Sequence, residues 1–269
     1  MKKHIGFIGG GNMASAMIHG ILEAKLVTPE DILASAHTTK TTEALRKRFG
    51  IQTTLDNKEV AAQAQILILA VKPVVLGEVL SQIKDVLKKD TFVISIAAGW
   101  TLSMLKEALG DNVHLIRSMP NTPAMVGEAM SAVCLGELVT KEECEEATKI
   151  FNSFGKCEIV SEKLMDAVVG VSGSSPAYVY LFIEAMADAA VEDGMPRTQA
   201  YQFAAQSVLG AAKMVLETGK HPGELKDAVC SPAGTTIEAV AVLEQEGFRG
   251  TVMKAQHACA QKSRDMSRK

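Results

Sequence analysis

The chain of 269 residues is long enough for one large domain or two smaller ones with a real core. Apolar residues make up 47% and charged residues 22%, an ordinary globular balance, and aromatics at only 4% favour helices packed closely through small side chains. A net charge of -3 with no long basic run gives no reason to expect nucleic acid as a partner, and no stretch is long and apolar enough to span a bilayer.

The start, Met1-Lys2-Lys3-His4, is basic, but glycine breaks the following apolar run within five residues, so it does not read as a signal peptide. Ile5 to Ile8 reads as a strand. Gly9, Gly10, Gly11, Asn12, Met13 and Ala14 follow it with G-x-G-x-x-A spacing, between a strand and a helix. The spacing has physical causes. Gly9 lets the chain turn sharply, Gly11 lets backbone approach a pyrophosphate, and Ala14 lets the helix pack close to the strand. The helix start then offers unpaired N–H groups and its positive dipole end to phosphates. Gly9 to Met13 are therefore candidate cofactor-binding residues. The helix is expected to reach about Ala24, with Met13, Met17 and Ile21 on its buried stripe.

Ile32 to Ser35 reads as the second strand. An NAD site places Asp or Glu near this strand end to hold the ribose 2′-hydroxyl. Here Ser35-Ala36-His37-Thr38-Thr39-Lys40 carries no carboxylate, so a 2′-phosphate is accepted and NADP is the expected cofactor, with NADH possible. A helix from about Thr41 to Phe49 stops at Gly50, and a short strand near Ile51 to Thr53 follows. Asn57 is expected to cap the next short helix and to face the adenosine. Ile66 to Ala70 is a strand apolar on both faces, as in a covered parallel sheet. After Val71 and Lys72, Pro73 fits the first turn of a helix continuing to about Leu87.

Phe92 to Ile96 is another buried strand. It leads into Ala97-Ala98-Gly99, small residues of the kind that a cofactor crossing a sheet edge requires. Thr101 caps a short helix ending near Gly110. Val113 to Arg117 is the next strand, and the rigid loop Ser118 to Pro123 follows. Residues Glu128 to Cys134 and Lys156 to Val160 add two further strands around a helix opened by a capping box at Thr140 and Glu143 and reaching about Phe154. The alternation predicts an α/β fold with a doubly wound, mostly parallel sheet.

From about Ser161 only helices are expected, which divides the chain into a dinucleotide-binding domain, 1–160, and a helical domain, 161–269. Ser175-Pro176 opens a helix that Gly194 ends. Its residues Ala177 to Ile183 are apolar on nearly every side, so a second subunit is expected to cover them and make a homodimer. Pro196 opens an alanine-rich helix to about Thr218, and Gly219, Pro222 and Gly223 mark a turn. Then Ser231-Pro232-Ala233-Gly234-Thr235-Thr236-Ile237-Glu238 joins a hydroxyl-bearing loop to a second capping box, Thr235 to Glu238. A helix N-terminus of this kind suits a carboxylate, although a well-capped helix without a ligand has the same pattern. The five cysteines are scattered without a C-x-x-C pair and read as reduced thiols in a cytoplasmic protein; no Cys/His group has zinc spacing, so no metal is expected.

The segments Gly6 to Met13, Val171 to Tyr178 and Ser231 to Val240, with Ala70 to Pro73, Ala97 to Gly99 and Arg117 to Pro123 in order, resemble those of the pyrroline-5-carboxylate reductases over essentially the whole chain. Ala233 departs from that family's usual second glycine, and Ser175 stands where glycine is also common. The resemblance implies reduction of 1-pyrroline-5-carboxylate to L-proline with NADPH or NADH, the last step of proline synthesis. It also implies an N-terminal Rossmann-type domain and a helical dimerisation domain, with dimers often assembled into a decamer. Ser35, Asn57, Ala70, Val71, Lys72, Pro73, Ala97, Ala98 and Gly99 correspond to cofactor contacts. Glu162, Val229, Thr235 and Thr236 fall where the family approaches substrate.

A protonated imine is already electrophilic, so the reaction needs positioning more than a strong acid. Thr236 is the expected hydrogen-bond partner of the imine nitrogen and the one catalytic candidate. The N–H groups of Gly234 and Thr235, with Ser231 or the loop bearing Ser172 and Ser174, are expected to hold the carboxylate. The loop Ser231 to Thr236 is expected to meet the cofactor in a cleft to which a second subunit contributes. A β-hydroxyacid dehydrogenase is the alternative within the same class. It needs a group, commonly a lysine on the first long helix of the second domain, and Gly173 to Tyr178 has none. A non-enzymatic NADP-sensing protein would need no organised second loop.

Overall fold

The computed structural model describes residues 4–267; the basic start at Met1 to Lys3 lies outside them. The chain divides into two compact units, one of residues up to Ser174 with the tail from Cys259, the other Ser175–Ala258.

The first unit is built on eight strands: β1 (Ile5–Ile8), β2 (Ile32–Ser35), β3 (Gln52–Thr54), β4 (Ile66–Leu69), β5 (Phe92–Ser95), β6 (His114–Met119), β7 (Ala129–Leu135) and β8 (Gly155–Ile159). Their order in one sheet is β3-β2-β1-β4-β5-β6-β7-β8. All neighbours are parallel except β6 and β7. The alternation of strand and helix therefore gives the expected doubly wound, mostly parallel sheet. Parallel neighbours need crossovers, and six helices supply them or flank the sheet: α1 (Asn12–Glu23), α2 (Thr39–Phe49), α3 (Asn57–Gln63), α4 (Pro73–Ile83), α5 (Leu102–Leu109) and α6 (Lys141–Asn152).

The inner strands β1, β4 and β5 are buried at every position and almost wholly apolar, because each of their faces is covered. Phe7, Ile66 and Ile68 pack with Met17, Ile21, Phe151 and Phe154 in one core. Ile8, Leu67 and Leu69 pack with Leu76, Leu80, Ile83 and Leu105 in another. Local signals place most ends. Thr101 Oγ1 accepts from the Met104 N–H, and Thr140 and Glu143 complete their capping box. α4 stops four residues before the expected Leu87, where Val86 N–H donates to the Ile83 carbonyl and closes a turn. Asn57 is not a cap. Asp56 takes that place, accepting from Lys58 N–H at 2.8 Å, and Asn57 is the first helical residue.

Past β8 no strand occurs among the described residues. The compact unit nevertheless runs beyond residue 160, because α7 (Met165–Val168) and a π-helical turn (Val169–Gly173) pack with the sheet. Met165 joins Ala132 and Cys134 in a small core there. The last helix contributes to the same unit: Ser263 Oγ donates to Asp166 Oδ1 at 2.6 Å.

The second unit holds α8 (Ser175–Glu192), α9 (Arg197–Thr218), α10 (Pro222–Val229), α11 (Thr235–Gln245) and the first part of α12 (Phe248–Met266). Its fully covered side chains are small: Ala187, Ala200 and Ala204. Tyr180, Leu181, Phe182, Phe203, Leu209 and Leu216 are all exposed. A helical unit that buries alanine and exposes leucine and phenylalanine presents an apolar face of interface type. Among the described residues no helix is long and apolar enough to cross a membrane.

Candidate active site

The strand order reverses between β1 and β4, and in doubly wound sheets ligands bind outside the carboxyl ends of the strands at such a point. Gly9 leaves β1 with φ +107°, and a Cβ there would lie 2.5 Å from the Ala70 carbonyl oxygen at the end of β4. Gly10 is closed in as well, since a Cβ would meet Leu45, Thr41 and Ala36. Gly11 differs: it is the N-cap of α1 with ordinary φ, and a Cβ there would meet nothing within 4 Å. Gly9 and Gly10 are thus demanded by the protein's own packing. Gly11 borders open space in front of a helix N-terminus that has no acidic residue in its first turn. Open space before unpaired N–H groups suits a pyrophosphate. Asn12 is exposed there and Met13 is half-buried against the core.

The other candidate loops stand on the same sheet edge. Ala70 N–H donates to the Ile8 carbonyl at 2.8 Å, and Gly9 N–H to the Ser35 carbonyl at 3.0 Å. Lys72 is the N-cap of α4 and Pro73 its first residue, as the sequence suggested. Trp100 Nε1 donates to the Pro73 carbonyl at 3.1 Å. It ties the loop of Val71, Lys72 and Pro73 to the loop of Ala97, Ala98 and Gly99, and Gly99 itself has φ +81°. A Cβ on Gly99 would lie 3.6 Å from Met266 Cβ, so the end of α12 reaches this loop. Nothing in the sequence pattern assigned Trp100 or Met266 a place here.

Ser35 is wholly buried, and its hydroxyl donates to Asn57 Oδ1 at 2.7 Å. Its side chain therefore reaches the sheet edge only through Asn57. The exposed groups after β2 are His37, Thr38, Thr39 and Lys40, at the N-terminus of α2, with Thr38 as its cap. A cavity of about 940 Å³ lined by Ile5, Leu22, Leu26, Pro29, Ile66 and Lys149 lies at the amino ends of the strands. It is on the wrong edge of the sheet for a dinucleotide.

Glu162 stands between elements. Its Oε1 accepts from Arg117 Nη1 at 2.9 Å and from Leu102 N–H at 2.8 Å. The Arg117 side chain is only 7% exposed, so this carboxylate both neutralises a buried cation and caps α5, the helix that follows the Ala97–Gly99 loop. Glu162→Ala is expected to lower stability by about 2–3 kcal/mol, because Arg117 is left buried without its partner. Glu162→Gln, which keeps an acceptor for Leu102, is expected to lose less. Equal melting temperatures for wild type and Glu162→Ala in calorimetry would show that the pair holds nothing. Burial pushes the nearby Cys134 thiol up to about 11 despite the Arg117 charge, so Cys134 is an inert packing residue and no nucleophile.

Ser172 and Ser174 are engaged in structure. Ser172 is buried and its hydroxyl donates to the Met130 carbonyl at 3.1 Å. Asn121 spans the same place, donating to the Ser172 carbonyl and accepting from Met130 N–H. The sequence marked its loop as rigid without showing why. Ser174 Oγ accepts from Cys259 Sγ at 3.2 Å.

In the helical unit, Val229 ends α10 and is exposed. Ser231 is exposed, and the chain turns so tightly that a Cβ on Gly234 would lie 2.3 Å from Ser231 Oγ. The capping box expected at Thr235 and Glu238 does not form: Gly234 is the N-cap, without a side-chain bond, and Thr235 is the first helical residue. Gly234 N–H is already spent on the Ser231 carbonyl at 3.1 Å, so it is not a free anion donor. The N–H groups of Thr235 and Thr236 fall in the first turn, where helix geometry gives them no partner. Ala233, the departure from glycine, sits at φ +55°, a conformation in which glycine is at ease and alanine is strained.

Residues 162–266 match the family of the pyrroline-5-carboxylate reductase dimerisation domain, and residues 4–99 match the family of the NADP oxidoreductase, coenzyme F420-dependent. The chain is 53% identical over 268 residues to the pyrroline-5-carboxylate reductase of Escherichia coli (strain K12), covering 100% of both. Among solved structures, a pyrroline-5-carboxylate reductase from Coxiella burnetii matches with a TM-score of 0.93 and 34% identity over 99% of each chain. The Plasmodium falciparum pyrroline carboxylate reductase with NADP bound matches with a TM-score of 0.90 and 34% identity over 98% of each. A full-length relation of this strength joins the glycine turn and the threonine loop in a single family. The chain belongs to the pyrroline-5-carboxylate reductase family.

Proposed function

We propose that this protein reduces 1-pyrroline-5-carboxylate to L-proline with NADPH, the last step of proline biosynthesis. The observation that carries the reading is 53% identity along the entire length of a pyrroline-5-carboxylate reductase. When bound, the dihydronicotinamide supplies the hydride that adds to the imine carbon, and the ring nitrogen becomes the amine of proline. Mixing the protein with NADPH and 1-pyrroline-5-carboxylate and following nicotinamide absorbance tests it; no oxidation with that substrate overturns it.

The first unit suits the cofactor. The α1 N-terminus and the open space at Gly11 take the pyrophosphate. The turns at Ala70–Pro73 and Ala97–Gly99 form the rest of the sheet edge. The absence of a carboxylate after β2, together with His37, Lys40 and the α2 N-terminus, favours NADPH over NADH. Clear preference for NADH in catalytic efficiency would mean that these residues do not read the 2′-phosphate.

The substrate roles belong to the threonine loop. Thr236 hydrogen-bonds the imine nitrogen, and the N–H groups of Thr235 and Thr236 with the Ser231 hydroxyl hold the carboxylate. Glu162 and Ser172 contribute by fixing backbone. Thr236→Val is expected to lower kcat by roughly tenfold to a hundredfold, the scale of one lost transition-state hydrogen bond of about 1.5–3 kcal/mol. Unchanged kinetics in that variant remove the role. The functional boundary falls near residue 160, in keeping with a dimerisation match over 162–266. The dimer forms through the helical unit, a decamer is the larger assembly, and the cytoplasm is the compartment; sedimentation of the purified protein tests the assembly.

A further inference from the structure

A chain of hydrogen bonds runs along α4 to the sheet edge. Ser35 Oγ donates to Asn57 Oδ1 at 2.7 Å, Asn57 Nδ2 donates to Gln82 Oε1 at 2.9 Å, and Gln82 Nε2 donates to Glu78 Oε1 at 3.3 Å. The chain has a direction, and its far end sets that direction. A carboxylate only accepts, so Gln82 must turn its amide nitrogen to Glu78 and its oxygen to Asn57. Asn57 must then turn its nitrogen to Gln82 and its oxygen to Ser35. The Ser35 hydroxyl is wholly buried at the opposite end and donates its only proton into the chain. Asn57 is half-buried, and its second Nδ2 hydrogen makes no other bond among the described residues.

We infer that Gln82 and Glu78 are positioning residues for cofactor recognition: they lock the Asn57 amide so that it offers the cofactor an N–H donor. Phosphate, ribose ether and adenine ring nitrogens are acceptors, so an amide held the other way would set oxygen against oxygen. Gln82 and Glu78 are exposed residues one turn apart on α4, and neither needs to touch the cofactor. The inference rests on the reading of Asn57 as a cofactor contact.

The test compares Asn57→Ala, Gln82→Leu, Glu78→Gln and Glu78→Lys by steady-state kinetics and by NADPH titration without substrate. Glu78→Lys is the informative variant. A lysine donates where the carboxylate accepted, so it reverses the chain and turns the Asn57 oxygen outward. A positive charge acting only through space would tighten NADPH, whereas reversal weakens it. The expected result is a rise of about three- to tenfold in the KM and Kd for NADPH in Glu78→Lys and Gln82→Leu, the scale of one misplaced hydrogen bond. Glu78→Gln offers a donor as well as an acceptor, so it no longer fixes the direction and is expected to fall between wild type and Glu78→Lys. The KM for the imine substrate is expected not to move in any of them. A Glu78→Lys enzyme that binds NADPH as tightly as wild type or more tightly, while Asn57→Ala weakens it, overturns the positioning role alone. An unchanged Asn57→Ala enzyme overturns the contact at Asn57 and the positioning role with it.

Discussion

A Gly9→Val enzyme is expected to lose NADPH affinity on the order of a hundredfold and to melt several degrees below wild type. Two effects act together. The residue has φ +107°, which a β-branched side chain does not adopt without strain. A Cβ would also lie 2.5 Å from the Ala70 carbonyl oxygen and 2.7 Å from its carbonyl carbon. That neighbour is backbone, and Ala70 N–H is bonded to the Ile8 carbonyl at 2.8 Å, so it cannot step aside without opening the β1–β4 pairing. The strain therefore falls on the turn that delivers Gly11 and the start of α1. Gly11→Ala separates the two effects. Its φ of -78° is ordinary and its added methyl group meets no protein atom. It is expected to melt like wild type while the KM for NADPH rises roughly tenfold, because the methyl group takes up space that the phosphates need. An unchanged KM in Gly11→Ala removes the pyrophosphate reading of that space.

Leu181→Glu is expected to break the dimer and, with it, most of the activity. Leu181 is 66% exposed on α8, beside Tyr180 and Phe182, and α9 adds Phe203 at 67% and Leu216 at 82%. Covering side chains of this size contributes about 1.5–3 kcal/mol each. A carboxylate set into a covered apolar face costs several kcal/mol more unless it is paired. Sedimentation velocity is expected to show monomers at concentrations where wild type is assembled. Leu55→Glu places the same charge on an exposed leucine of the sheet unit and is expected to leave assembly intact. If Leu181→Glu sediments as wild type does, the apolar face of α8 is not the dimer surface.

Local chemistry is legible in a sequence where its cause is local. The strands were readable because covered parallel strands must be apolar on both faces. Thr101, Thr140 and Pro73 mark helix starts because caps act over three residues. Where two neighbours can do the same work, the pattern misleads. Asp56 and Asn57 are both good caps, and Asp56 has it, which frees Asn57 for its bonds to Ser35 and Gln82. Thr235 has the spacing of a capping box, but Gly234 already ends the turn, and Thr235 becomes helical. The division at residue 160 followed the end of alternation, whereas compactness follows packing, which carries α7 and the tail of α12 onto the sheet unit.

Short-range spacing and periodicity establish that a dinucleotide-binding sheet comes first, that helices follow, and which family's motifs they carry. Each of these rests on spacing within a short stretch, or on apolar runs whose period is fixed by backbone geometry. Packing separates the glycines that the protein needs for itself from the one that leaves room for a ligand. It alone placed Glu162 against a buried Arg117, Trp100 across two loops, and Ser35 behind Asn57. Those pairs lie 45, 27 and 22 residues apart in the chain. No local pattern encodes them, because the contact is set by where the sheet brings the ends of its strands.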